Sequence, residues 1–67
     1  MAKSIVEIRL TPENVTAELR TGDMFADDPD FGIVTNVYPI TAGAKVWTTS
    51  GTDVLGLPQT VRIERYV

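Results

Sequence analysis

With 67 residues and neither cysteine nor histidine, the chain reads as one small domain spanning 1–67 that can draw neither on disulfides nor on the usual ligands of structural zinc. The same absences remove the commonest general bases and nucleophiles, so no catalytic residue, metal or cofactor is assigned and a non-enzymatic protein is expected. The formal charge of −3 is concentrated between residues 23 and 53, where Asp23, Asp27, Asp28, Asp30 and Asp53 face Lys45 alone; this argues against nucleic acid as a partner, because no clustered basic face is left for a phosphate backbone.

At the N-terminus Glu7 interrupts before any long apolar run, and no stretch approaches the roughly 20 apolar residues of a membrane span. A cytoplasmic protein without a membrane role is the expectation. Ser4–Leu10 sets Val6, Ile8 and Leu10 against Glu7 and Arg9, the period of two of a half-buried strand. Val15–Arg20 repeats that alternation with Val15, Ala17 and Leu19, and Thr11-Pro12-Glu13-Asn14 between them carries proline where a turn wants its φ fixed. A hairpin follows, with Leu10 opposite Val15, Ile8 opposite Ala17 and Val6 opposite Leu19. The alternative is a short helix over Pro12–Arg20, with Thr11 as N-cap and Gly22 just past its end, laid on an antiparallel sheet.

Gly22-Asp23 turns the chain into the short apolar piece Met24-Phe25-Ala26 and then into the acidic turn Asp27-Asp28-Pro29-Asp30. Together with Asp23 this run invites a calcium reading, but calcium would want more oxygen ligands in a defined loop grammar than it supplies, and a solvated turn is the simpler reading. An acidic contact surface for a basic partner is the other. Phe31–Tyr38 is the next predicted strand, with Phe31, Ile33 and Val37 on one face and Val34, Asn36 and Tyr38 on the other. After a loop from Pro39 to Ala44, the β-branched and aromatic run to Thr49 forms another. Setting Val37 opposite Val46 places Tyr38 opposite Lys45 and Asn36 opposite Trp47, all four facing outward. Ser50-Gly51-Thr52-Asp53 is a turn and Val54–Pro58 irregular. The last strand runs from Gln59 to Val67, with Val61, Ile63 and Val67 alternating against Arg62, Glu64 and Tyr66.

The expected fold is all-β, about five antiparallel strands rolled into a small barrel so that no long edges stay open. Its core is predicted to hold Val6, Ile8, Leu19, Ile33, Val37, Val46, Val61 and Ile63. The candidate partner-binding residues are Trp47, Tyr38, Lys45, Asn36 and Tyr66, with Arg62 and Arg65 nearby. Aromatics on an outer face mark a binding or self-association surface, since they bring large contact area at little entropic cost. Two other readings compete: a minor core covered by a loop or a chain terminus, and a base-stacking platform.

Glu18-Leu19-Arg20-Thr21-Gly22-Asp23, followed by an apolar pair, resembles the diverging-turn segment of SH3-like barrels. Gly56-Leu57-Pro58 is similar to the glycine-aliphatic-proline piece that precedes the short helical turn and last strand of that fold. The resemblance covers about a third of the chain and implies a fold, an SH3-like barrel. It does not imply binding of proline-rich ligands, because the tyrosine-rich first strand, the tandem tryptophan and a tyrosine after Pro58 are all missing. In its compactness the chain also resembles small accessory proteins of bacteriophages and bacteria. The functional expectation is a protein-interaction module with a protein partner or a second copy of itself, a homodimer. A single-strand nucleic-acid binder and an acidic mimic acting through Asp27, Asp28 and Asp30 are the alternatives.

Overall fold

The computed structural model describes residues 2–66. In chain order its elements are β1 (Lys3–Leu10), the single-turn helix α1 (Val15–Glu18), β2 (Met24–Phe25), a 3₁₀ turn (Pro29–Phe31), β3 (Val34–Ile40), β4 (Gly43–Thr48), β5 (Gly51–Gly56) and β6 (Gln59–Tyr66). The strands form two antiparallel three-stranded sheets, ordered β1-β6-β2 and β3-β4-β5. The all-β class therefore holds, with six strands where five were expected. The sheets meet at one corner, through a Met24–Ile33 bridge and through bonds that link Val34 to the peptide groups of Gly22 and Asp23. Among the described residues no strand pair closes the other side into a barrel, and no helix is long and apolar enough to cross a membrane.

The first strand is the one its alternation predicts, but its partner comes from the far end of the chain. β1 pairs with β6 from Lys3–Tyr66 to Leu10–Gln59, which sets Val6 beside Ile63 and Ile8 beside Val61 on the inner face. The expected hairpin onto Val15–Arg20 is corrected: residues 15–18 are helical. Val15 and Leu19 lie four apart and so share one helix face; both are buried, while Ala17, which a strand would have turned inward, is exposed. The turn before the helix is locked reciprocally. The Thr11 N–H donates to Asn14 Oδ1 at 2.8 Å and the Asn14 N–H to Thr11 Oγ1 at 3.2 Å, the arrangement of a capping box with asparagine in place of glutamate.

A second correction concerns β3. Strict alternation puts Ile33 and Val37 on one face and Val34 on the other, yet Val34 is fully buried, Val37 packs partly buried against the core, and Ile33 is only partly covered. A bulge between Val34 and Asn36 adds a residue to the strand and so brings two side chains of opposite parity to the same face. Phe31 lies outside the strand, in the 3₁₀ turn, where its carbonyl accepts the buried Thr48 hydroxyl.

Beyond the bulge the expected register holds, with Val37–Val46, Tyr38–Lys45 and Asn36–Trp47 as partners. The hairpin is tighter than the predicted Pro39–Ala44 loop, because Pro39–Ala44 and Ile40–Gly43 also pair and only Thr41-Ala42 turn, with Ala42 at φ +58°. Similarly, residues 51–56, expected as a turn and an irregular piece, form β5, which pairs with β4 from Gly43–Gly56 to Thr48–Gly51. Between β5 and β6 only Leu57-Pro58 intervene, so the helical turn implied by the SH3 resemblance has no counterpart there. Leu10, Val15, Leu19, Val34, Ala44, Val46, Val61 and Ile63 make one core, against which Val6, Ile8, Phe25, Phe31, Val37, Leu55 and Leu57 pack. Val67, expected in the last strand, lies outside the described residues.

Candidate functional site

The outer face of β3-β4-β5 is built by parity. Val46 points into the core, so Lys45 and Trp47 on either side of it point out, together with their cross-strand neighbours. The central row runs Tyr38, Lys45, Val54, and the adjacent row Asn36, Trp47, Thr52. Tyr38 is 62% and Val54 59% exposed, and Ile40 extends the patch beyond Tyr38. Trp47 is partly buried, its ring covered by the Lys45 ammonium 5.2 Å from the centroid. That stacking holds the cation over the aromatic face.

Four of the five predicted site residues, Trp47, Tyr38, Lys45 and Asn36, therefore share one face. Tyr66 does not: it lies on the other sheet, opposite Lys3, whose ammonium is 5.4 Å from its ring. Arg62 and Arg65, expected near Trp47, are engaged elsewhere. Arg62 donates to Asp27 at 2.8 Å on the surface, and Arg65 turns inward. Sequence reasoning missed Ile40 and Val54. Ile40 follows from extending the alternation past Pro39, and Val54 from seeing that Gly51–Gly56 is a strand. The high exposure of Tyr38 and Val54 goes against a minor core on this face.

Sequence proximity groups Asp23 with the acidic turn, and the structure removes it from that group. Only 3% exposed, it receives the Arg65 Nε at 3.1 Å, the Arg65 Nη2 at 2.6 Å and the Arg20 N–H at 2.9 Å. The Arg65 Nη2 also donates to the Glu18 carbonyl. The ion pair thus ties the helix end and the Arg20–Asp23 turn to β6, and its role is structural.

A cleft of about 260 Å³ opens beside β5 and β6, next to the turn that follows β2. Phe25, Phe31 and Val61 contribute its apolar lining, and Asp27, Asp28 and Asp53 its carboxylates. These residues come from distant segments, which is why no local pattern announces the cleft. Among the described residues no three acidic side chains converge as a metal site would require. No family model, curated protein or solved structure matches the chain, which leaves these surfaces as the ground for its function.

Proposed function

We propose that this chain is a non-enzymatic protein-interaction module that binds a protein partner through the outer face of β3-β4-β5. The observation that carries the reading is the exposed row of Tyr38, Lys45 and Val54, flanked by Trp47 and Ile40, on the regularly paired β3-β4-β5 sheet. Large aromatic and branched side chains left in water on regular strands supply contact area without ordering cost, as interface centres do. Among the described residues Lys45 is the only charged side chain in those two rows, and one cation is too few for affinity to a phosphate backbone. That favours a protein over a single nucleic-acid strand. An SH3-like architecture is proposed on the same footing: the pairing of first with last strand and the three-stranded meander between them support it, as does the Arg20–Asp23 turn.

The test is an affinity capture with the immobilised chain and with Trp47→Ala, each checked for fold by circular dichroism. A partner retained by the parent at moderate salt and lost with Trp47→Ala, by more than about 2 kcal/mol, is the expected result. Capture that Trp47→Ala leaves unchanged would sink the proposal. Affinity that collapses with salt would point to nucleic acid, and dependence on Asp27, Asp28 and Asp30 to the acidic mimic.

A further inference from the structure

The open edge of β1 is a self-complementary surface, and we infer that two copies of this chain associate by pairing β1 with β1 antiparallel about a two-fold axis at Ile5. Which peptide groups are free follows from the far side of β6. That strand lies between β1 and β2, and the Arg62 carbonyl accepts the Ala26 N–H at 2.9 Å on the β2 side. In a pleated strand one residue's N–H and C=O point the same way, so Arg62 does not bond its β1 partner Glu7. Glu7, and with it Lys3 and Ile5, directs its peptide groups to the open edge. Arg9 has the same parity, and its carbonyl is already taken by the Asn14 side-chain amide at 3.1 Å, which ends the usable edge after residue 8.

The register follows from two constraints. Keeping both cores on one side of a continuous sheet requires residues of equal parity to face each other. Charge then selects among the centres. About Ile5, Lys3 meets Glu7 of the second copy at both ends and Ile5 meets Ile5, with about six backbone hydrogen bonds from the residues whose peptide groups are free. A centre on Val6 would oppose Lys3 to Arg9, and a centre on Glu7 would oppose the two glutamates. The edge also needs cover: Ile5 is 52% exposed, and the inward-facing Val6 and Ile8 are only partly buried. Pairing about Ile5 sets Val6 beside Ser4 and Ile8 beside Ala2 of the second copy. Lys3 reaches Glu64 at only 3.7 Å within its own chain, with both side chains partly exposed, a pair weak enough to share.

Sedimentation of the full chain from about 10 µM to about 1 mM tests this. The parent is expected to dimerise. Lys3→Glu and Glu7→Lys, both on exposed positions, each place like charges opposite one another and are expected to raise the dissociation constant about tenfold. In the first variant positions 3 and 7 both carry carboxylates, and in the second both carry ammonium groups. Mixed one to one, the two variants therefore oppose unlike charges at both ends, and parent-like affinity returns as a heterodimer. A second measurement uses the absence of cysteine: Ile5→Cys should oxidise to a covalent dimer, since bonded antiparallel pairs hold their Cα atoms about 5.5 Å apart, within disulfide range. Trp47→Ala leaves the dimer intact, so dimerisation and partner binding are separable. A parent that stays monomeric to the highest concentration, or a mixture that fails to recover, overturns the inference.

Discussion

Asp23 and Arg65 form the most buried ion pair among the described residues. Both side chains are mostly buried, at 4% and 14% exposure, and their double contact is completed by the Arg20 N–H and the Glu18 carbonyl, so the charges are paired and their hydrogen-bonding groups are engaged. Such a pair gives weak net stability but is costly to break, because the surviving charge stays buried without a partner. Asp23→Ala is expected to lower the free energy of unfolding by about 3–5 kcal/mol, and the double change with Arg65→Met by much less than the sum of the two single ones. Urea denaturation measures both; an Asp23→Ala protein within about 0.5 kcal/mol of the parent would contradict the structural role. In the sequence Asp23 reads as one more carboxylate beside Asp27, Asp28 and Asp30, although in the fold it accepts the nearby Arg20 N–H. Its partner stands 42 residues away, so the acidic run by itself gives no sign of its burial.

Among the elements, α1 is the segment where local signals conflict. Val15, Ala17 and Leu19 satisfy a period of two, while Val15 and Leu19 alone satisfy the helical spacing of four, and the two templates differ only in where Ala17 points. The decision rests on the Thr11–Asn14 lock and on the availability of β6 as an eight-residue partner for β1. Thr11→Ala should cost about 1 kcal/mol through the lost cap, and Asn14→Ala a similar amount. Because the bonds are reciprocal, the double variant should be less destabilised than simple addition gives. Strict additivity in thermal or urea unfolding would mean that the two residues act independently. The bulge in β3 is a comparable case: it needs one residue more than its partner strand supplies, a mismatch that exists only once β4 is in place.

Among the described residues the two sheets of the molecule share one core although they pair at only one corner. Ile63 of β6 and Val46 of β4 belong to the same buried cluster as Leu10, Val15 and Leu19. Cooperative unfolding of both sheets is the consequence, since neither has a core of its own. Ile63→Ala is expected to destabilise the domain by about 2–5 kcal/mol. The midpoint read from Trp47 fluorescence, on the other sheet, should shift together with that read from far-ultraviolet circular dichroism. Separate transitions would show that β3-β4-β5 persists without its companion.

From the order of residues alone come the strand class, the outward placement of Trp47, Tyr38, Lys45 and Asn36, and the register that joins them, because alternation and short hairpins are local and β-branched residues cannot choose a face without choosing it for their neighbours. Leu19, Val46, Val61 and Ile63 are legible as core in the same way, although Leu19 ends a helical turn instead of sitting in a strand. Only long-range packing settles that β1 pairs with β6, that Val34 rather than Ile33 is buried, that Tyr66 leaves the Trp47 face, and that Asp23 is internal. Each of these turns on a partner tens of residues away or on a bulge that breaks the period, and hydrophobic patterning specifies which residues must be covered without specifying what covers them.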